Sequence, residues 1–240
     1  MTDEDNSRSL IPRPSREVTV RLNAQNRIVC EMVENLLVVA KDAAREIEKV
    51  DALVREARRI QESSAGTAAE NVKAFNLFLR AARAGHPGAQ YDVGYCFAFG
   101  VGVGYDSVQS RHWIGLAAEN GYAEAQNKVA NGLSGEGKLA EAAEWYRKAA
   151  EQGEPASQIG LSDCYWDGRG VPQDYCQAYA WARLAADADG AAHTVKGDMW
   201  CGPELSQEQA TAFAARLSPT QLEKAYELYL DFKRKYSAQH

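Results

Sequence analysis

Between residues 68 and 190 the apolar and polar positions of the chain follow one repeating pattern. An alanine pair recurs at residues 81, 117, 149 and 185, so the spacings are 36, 32 and 36 residues. Three of the pairs follow a tryptophan by four residues, or one helical turn: Trp113, Trp145 and Trp181. Self-similarity at such a period predicts a stacked array of helical repeats. Arrays of this kind present an extended surface to other molecules.

Each period is predicted to hold two helices. The first helices, near residues 88–99 and 157–167, end in Gly-x-Gly turns, where glycine is favoured because positive φ costs it little. An acidic residue lies eleven positions before three of the alanine pairs and is expected to precede each second helix: Glu70, Asp106 and Asp174. For Asp106 and Asp174 we predict N-caps, because a carboxylate accepts hydrogen bonds from free amides of the first turn. The middle unit, residues 125–153, is four residues shorter, which indicates a shortened loop.

Several motifs carry a resemblance to a known family. They are Val93-Gly94-x-x-Phe97-x-x-Gly100-x-Gly102-Val103 with its counterpart Leu161-Ser162-x-x-Tyr165-x-x-Gly168-x-Gly170-Val171, Pro172-Gln173-Asp174-Tyr175, and Glu144-Trp145-Tyr146-Arg147-Lys148-Ala149-Ala150-Glu151-Gln152-Gly153. With these motifs the chain resembles the Sel-1-like repeat (SLR) family over roughly residues 68–190. The resemblance implies an all-α protein, a right-handed α/α solenoid of three to four units that scaffolds protein assemblies, and it implies no catalytic residue. The chain departs from the family pattern at Ser162, Leu133 and Asp189.

One stripe along the first helices is the expected partner-binding surface. Ala89, Val93 and Phe97 occupy core positions, whereas a second stripe lines the concave side in related helical repeats. That stripe supplies the candidate partner-binding residues Tyr91, Tyr95, Asn127, Asn131, Asp163 and Trp166. Tyrosine and tryptophan are enriched at binding hot spots, so we expect a non-catalytic scaffold that binds a protein or peptide there. The alternative is that some of these side chains only pack between repeats.

The first 67 residues lie outside the repeats. Residues 1–22 are expected to be a disordered or extended tail, in which Glu17–Leu22 alternates like a short strand without a partner. Residues 23–67 contain a long amphipathic helix whose apolar residues step by three and four in a near-heptad. Two alternatives stay open: dimerisation as a coiled coil through residues 24–44, or capping of the first repeat by residues 45–62. Dimerisation would make the protein a structural dimer with the repeats as spacer.

Residues 191–240 are predicted to form a C-terminal helical cap. Ser206 and Ser218 are each followed three residues later by a glutamine, which marks a capping box, and Pro219 suits the first helical position. Helices are therefore expected over residues 206–216 and 218–236.

Composition narrows the functional classes. The net charge of −6 and the pI near 5.4 argue against nucleic acid as a partner and against an anionic membrane surface. No apolar run approaches the roughly 20 residues that a membrane span needs. The acidic start of the sequence, residues 1–7, lacks the basic segment and apolar core of a secretory signal, so the cytoplasm is the expected location.

Candidate chemistry is sparse. Two of the five cysteines, Cys96 and Cys164, occupy equivalent repeat positions, which favours small apolar residues over a disulfide framework. His193 and Cys201 lie close in sequence but lack the spacing of a zinc site. We therefore expect no metal, no cofactor and no enzymatic activity.

Overall fold

The computed structural model describes residues 16–62, 67–187 and 203–236, and every regular element in these ranges is an α-helix. The helices are α1 Arg16–Glu62, α2 Ala68–Arg83, α3 Pro87–Phe99, α4 Ser107–Glu119, α5 Ala123–Gly135, α6 Leu139–Ala150, α7 Pro155–Asp167, α8 Tyr175–Ala186, α9 Pro203–Ala214 and α10 Pro219–Tyr236. The prediction of an all-α fold built from helical hairpins is confirmed. The chain divides into two compact units, Met1–Val50 and Asp51–His240.

Helix α1 starts earlier than the sequence pattern indicates. It begins at Arg16, so the expectation of an extended stretch over residues 17–22 is wrong. Alternation of β-branched residues stabilises a strand only beside another strand, whereas helix propagation adds one hydrogen bond for each residue fixed. The good helix formers that follow therefore carry the helix back through this segment. The expected tail over residues 1–15 and the turn over residues 63–66 lie outside the described residues.

Two second helices begin at their predicted caps. Oδ1 of Asp106 accepts hydrogen bonds from the backbone amides of Val108 at 2.9 Å and Gln109 at 3.0 Å. Asp174 repeats this geometry at the start of α8. Because the carboxylate satisfies amides that have no partner within the helix, each cap fixes where its helix starts. Both N-cap predictions are confirmed.

The start of α2 differs from the prediction. The N-cap is Thr67, and Glu70 is the third residue inside the helix rather than a residue that precedes it. The Glu70 carboxylate reaches back to the amide of Thr67 at 3.1 Å, while the Thr67 hydroxyl accepts from the amide of Glu70 at 3.2 Å. This reciprocal capping box needs threonine and glutamate three residues apart, so it takes the place of the single aspartate used by α4 and α8.

The turn inside each hairpin varies in length. Gly100 and Gly168 end α3 and α7 in the left-handed region with φ of 69°, a conformation that favours glycine. The second repeat consists of α3 and α4, the third of α5 and α6, and the fourth of α7 and α8. In the third repeat α5 ends at Gly135 and α6 starts at Leu139, so the connection is short. The expected shortened loop is confirmed.

The core alternates small and large side chains. Apart from Ala186, the alanines of the pairs that set the period are almost fully buried, which lets neighbouring helices approach closely. Larger buried residues fill the spaces between them: Phe78, Val93, Tyr146, Leu161 and Trp181.

Three buried glutamines, which we call the glutamine ladder, tie consecutive repeats together. Each glutamine lies eight residues after the second alanine of a pair, and its Nε2 donates to the carbonyl oxygen of that alanine. The three bonds are Gln90 to Ala82 at 3.3 Å, Gln126 to Ala118 at 3.1 Å and Gln158 to Ala150 at 3.2 Å. Each of these carbonyls also accepts from the backbone amide of the glycine three residues later, Gly85, Gly121 or Gly153. The glutamine therefore adds a second hydrogen bond at the helix end and gives its own buried amide a partner.

The ladder is incomplete at its last member. Oε1 of Gln90 accepts from Asn120 at 2.9 Å, and Oε1 of Gln126 accepts from Gln152 at 2.8 Å. Oε1 of Gln158 is buried and has no hydrogen-bond partner among the described residues. The last repeat is therefore less completely paired than the two before it.

The final turns of α1 contact α3. Val54 and Ala57 are buried in the unit that begins at Asp51, and Nη2 of Arg58 lies 3.1 Å from Oδ2 of Asp92 on α3. Burial raises the pKa of the Asp92 carboxyl, and the nearby Arg58 charge only partly opposes this. Capping of the first repeat by residues 45–62 stays a prediction, with which the burial of Val54 and Ala57 agrees.

At the other end, α9 begins at Pro203 rather than at Ser206, so the predicted start is wrong by three residues. Proline is favoured at the first helical position, where its missing amide costs nothing, and this places the start upstream of the serine. The capping box at Ser218 is confirmed: its amide donates to Oε1 of Gln221 at 3.0 Å, and α10 follows at Pro219.

Helix α10 lies on α8 and closes the described array. The Trp181 ring contacts the rings of Phe232 at 4.4 Å and Tyr236 at 5.5 Å between centroids. Asp187, just after α8, accepts hydrogen bonds from Tyr229 and Lys233. Burial alone would raise the pKa of Asp187, but these hydrogen bonds outweigh it and lower the pKa. The segment with His193 and Cys201 lies outside the described residues.

Candidate protein-interaction surface

The six predicted surface residues have different environments, and Tyr91 on α3 is the most buried. It is 8% exposed, and its ring lies 5.3 Å from the ring of Tyr122, which precedes the next repeat's first helix. Its hydroxyl is buried without a hydrogen-bond partner among the described residues, and burial raises its pKa. Tyr91 therefore packs between the second and third repeats.

On α5 the two predicted asparagines form a chain of hydrogen bonds. Asn127 donates to the hydroxyl of Ser157 on α7 at 2.8 Å, and Asn131 donates to Oδ1 of Asn127 at 2.9 Å. The Tyr146 hydroxyl donates to Oδ1 of Asn131 at 2.6 Å. Asn127 thus joins two repeats, while Asn131 lies at the exposed end of the chain.

On α7 the predicted residues lie under α9. Asp163 accepts a hydrogen bond from Gln209. The Trp166 ring is stacked on Phe213 with centroids 3.9 Å apart and an angle of 7° between the planes. The guanidinium of Arg216 lies 5.7 Å from the Trp166 ring. In this repeat the expected stripe is used for contacts within the chain.

Apart from Tyr95, sequence reasoning missed a set of apolar residues around the turn that follows α3. Phe99 is 56% and Tyr105 71% exposed, and Val72 and Val108 are also exposed. The rings of Tyr95 and Phe99 are 4.4 Å apart. Gly102 lies directly against the backbone of Asn71 and Val72, which brings the turn to the start of α2. We call this set the aromatic patch: Val72, Tyr95, Phe99, Tyr105 and Val108.

A comparison between repeats would have revealed the aromatic patch from the sequence. The second and fourth repeats align at a shift of 68 residues, as the alanine pairs at 117 and 185 show. At that shift Tyr95, Phe99 and Tyr105 correspond to Asp163, Asp167 and Gln173. Positions that are aromatic and exposed in one repeat are polar in the other, so the repeat itself does not require the aromatics.

A shallow cleft lies between two inter-repeat turns, residues 121–124 and 152–155. One carboxylate in its lining, that of Glu154, caps α7 by accepting from the amides of Ala156 and Ser157. Burial raises the pKa of Glu154. This acid therefore has a structural task at the end of a helix.

Reactive groups are not concentrated in the described part of the chain. No cluster of three or more histidine, cysteine or acidic side chains that could hold a metal ion occurs among the described residues. Cys96, Cys164 and Cys176 are buried free thiols, and burial raises the pKa of Cys96 to about 12. A thiol with so high a pKa is a poor nucleophile at neutral pH. Among the described helices, none combines the length and apolar character that crossing a membrane requires.

Paired helices, Gly-x-Gly turns and the glutamine ladder together define an α/α solenoid protein. The Sel1 repeat model matches residues 61–86, 87–122, 123–154 and 155–190, which is more than half of the chain. The protein belongs to the Sel1 repeat family, as the resemblance implied. Repeats of this family are commonly protein-interaction modules, and their solenoid is typically a non-catalytic scaffold.

Three relatives, two of them of known structure, agree with this assignment. A protective antigen of uropathogenic Escherichia coli with an SLR fold superposes with a TM-score of 0.64 at 28% identity over 81% of this chain and 40% of the antigen. A Sel1 repeat protein from Oxalobacter formigenes gives 0.53 at 32% identity, over 59% of this chain and 42% of its own. An uncharacterized protein of Neisseria meningitidis serogroup B is 29% identical over 121 residues, which is half of this chain but 26% of that protein. Each match thus covers less than half of the relative's own length.

Proposed function

We propose that the protein is a non-catalytic interaction scaffold that binds a protein or peptide partner at the aromatic patch of its second repeat. The proposal keeps Tyr95 from the expected stripe and extends the surface to the turn after α3. Asn131 is the other exposed member of that stripe and stays a candidate. Tyr91, Asn127, Asp163 and Trp166 are assigned to packing between repeats, because each contacts a neighbouring repeat or α9.

The observation that supports this choice is the difference between equivalent positions of two repeats. The fourth repeat forms the same turn with Asp167 and Gln173 where the second repeat exposes Phe99 and Tyr105. Exposed aromatics of this kind have a solvation cost that polar residues avoid, and contiguous apolar patches on a surface mark interaction sites. The aromatic side chains therefore serve a purpose other than folding.

The composition of the patch indicates the chemistry of the partner. From Val93 to Tyr105 the chain carries no charged residue, whereas the equivalent stretch of the fourth repeat carries Asp163, Asp167 and Arg169. A neutral aromatic surface discriminates against acidic segments, because an anion placed against it loses water without gaining a counter-ion. We expect a partner segment that presents apolar side chains.

The test replaces the patch with the residues that the fourth repeat already uses. Phe99→Asp combined with Tyr105→Gln should remove the partner from a pull-down with native lysate, measured by quantitative mass spectrometry against wild type. The thermal melt followed by circular dichroism should change little, because both side chains are exposed.

Tyr226→Gln is the matched control, since it removes an exposed aromatic from α10, outside the patch. Proteins retained by wild type and by this control, but lost from the double variant, are the partners that the proposal expects. If the double variant captures the same proteins as wild type, the aromatic patch is not the binding surface.

A second candidate function is structural: we propose that α1 joins two chains into a dimer, with the repeats as spacer. It is favoured by the apolar side chains that the first part of α1 exposes. This role and the binding role are compatible, because they use different parts of the chain. Its test is the mass of the protein in solution.

A further inference from the structure

We infer that residues 29–47 of α1 form a self-association face on which the same segment of a second copy of this chain packs. The inference rests on the structural dimer proposed above, and it identifies which residues join the copies and where the contact ends. It is independent of the partner-binding role of the aromatic patch.

The first unit exposes an unusual number of large apolar side chains. Eight of them are between 49% and 67% exposed: Val29, Met32, Val33, Leu36, Leu37, Val38, Val39 and Ile47. Val29, Met32, Leu36 and Val39 step by three and four, which places them on one seam of the helix. Val33 and Ile47 widen that seam on one side. Helices that carry such a seam associate through it, because knobs of one helix enter holes of the other.

The exposed area matches what a specific dimer needs. Complete burial of one side chain of this kind removes roughly 60–120 Å² of apolar surface from water. The six residues on or beside the seam, which exclude Leu37 and Val38, hold on the order of 300–350 Å² per chain at their observed exposure, or about 650 Å² in a dimer. Since apolar atoms make up about 60% of an interface, the whole contact comes to about 1,100 Å², above the roughly 1,000 Å² that a specific protein pair needs.

The charges beside the seam favour another protein helix over an anionic lipid surface. Between residues 29 and 50 the basic residues number three and the acidic residues five: Lys41, Arg45, Lys49, Glu31, Glu34, Asp42, Glu46 and Glu48. A helix that binds anionic lipid carries an excess of basic residues on its polar face. Two of the bases also pair on their own helix, Arg45 with Asp42 at 3.0 Å and Lys49 with Glu46 at 2.5 Å.

The boundary of the face is visible in the same helix. After Val50 the seam is used within the chain, where Val54 and Ala57 are buried in the second unit. Glu46 occupies a seam position that the near-heptad would fill with an apolar residue. The two observations place the end of the self-association face at Ile47.

Sedimentation velocity of the full chain in reducing buffer tests the face. Wild type at about 50 µM should sediment as a dimer, and dilution should shift it towards monomer. Leu36→Glu should raise the dissociation constant by at least about a hundredfold, because two unpaired carboxylates enter an apolar seam. Val38→Glu adds the same charge on the opposite side of the helix and should leave the dimer intact.

A variant that strengthens association is a second test, because misfolding of the Leu36→Glu variant would also abolish the dimer. Glu46→Leu completes the seam and should lower the dissociation constant about tenfold or more, because it exchanges a buried charge for apolar contact. A monomeric wild type overturns both this inference and the structural dimer. A dimer that resists Leu36→Glu, or an assembly of three or more chains, overturns the face while the repeats' binding role stands.

Discussion

The second and fourth repeats share one backbone and present different surfaces. Gly100 and Gly168 have the same φ of 69° with ψ of 31° and 30°, and the N-caps Asp106 and Asp174 agree within 2° in φ and 1° in ψ. Around this common frame the second repeat exposes its aromatic patch, whereas the fourth is covered by α9 and α10. A few glycines and caps set the geometry, and the remaining positions are free to carry function.

The interiors of the two repeats also differ, because side-chain volume is divided differently between two contacting positions. A Cβ on Gly94 would lie 2.6 Å from Cγ1 of Ile114, so glycine is required beside that isoleucine. The equivalent positions in the fourth repeat are Ser162 and Ala182. The first residue of the pair is larger and the second smaller, which explains why Ser162 departs from the family pattern without disturbing α7.

The largest expected effect tests the turn glycines that the second and fourth repeats share. Gly102→Ala and Gly170→Ala should each lower the free energy of unfolding by about 3 kcal/mol or more, because the new Cβ meets a carbonyl oxygen and a positive φ is strained. That Cβ would lie 2.1 Å from the carbonyl of Asn71 or Leu139. Urea denaturation measures the change.

Gly121→Ala separates the two causes of that loss. Its φ is 90° but its surroundings are open, so strain alone should cost about 1 kcal/mol. If Gly170→Ala costs no more than Gly121→Ala, close approach of the backbones is not what fixes glycine in the turn.

The next effect tests how side-chain volume is divided between Gly94 and Ile114. Gly94→Ser alone should cost about 2 kcal/mol through overpacking, and Ile114→Ala alone about 2 kcal/mol through the space it leaves. Together they reproduce the pair of the fourth repeat, so the double variant should lose less than the sum by at least about 1 kcal/mol. Additive losses in a urea-denaturation cycle would contradict this account.

The smallest expected effect comes from a variant that leaves the glutamine of the second repeat without a donor, as in the fourth repeat. Asn120→Ala removes the donor to Oε1 of Gln90 and should cost about 1–2 kcal/mol, because a buried acceptor is left unpaired. Asn120→Gln keeps a donor, as Gln152 does in the next repeat, and should recover most of that stability. Equal melting temperatures for the two variants would show that the hydrogen bond to Gln90 contributes no stability.

The sequence was sufficient to predict the frame because the frame depends on local chemistry. Asp106, Asp174 and the glycines at the turns act within a few residues of their own position, so their roles follow from spacing alone. The period then repeats those local features and identifies the family. The prediction that Glu70 precedes α2 was wrong because Thr67, three residues earlier, is the N-cap.

The sequence was insufficient for the surface because exposure depends on what lies over a residue. Trp166 and Tyr95 fall on the same predicted stripe, yet Trp166 is stacked under Phe213 and Tyr95 is partly exposed. The period gives a residue's position on its helix but does not show that α9 follows the last repeat and covers it. Comparison between repeats recovers part of this information, since it reveals where aromatic residues replace polar ones.

The glutamine ladder also bears on how arrays of this kind change length during evolution. Each of its bonds spans eight residues across an inter-repeat turn, so a whole repeat can be duplicated or deleted without altering the bonds on either side. The third repeat is four residues shorter than its neighbours, and that difference falls in the turn between α5 and α6, away from the ladder. Duplication of a whole repeat and shortening of the turn between its two helices are therefore separable genetic events. A lineage can lengthen the array while each repeat diversifies its own loop.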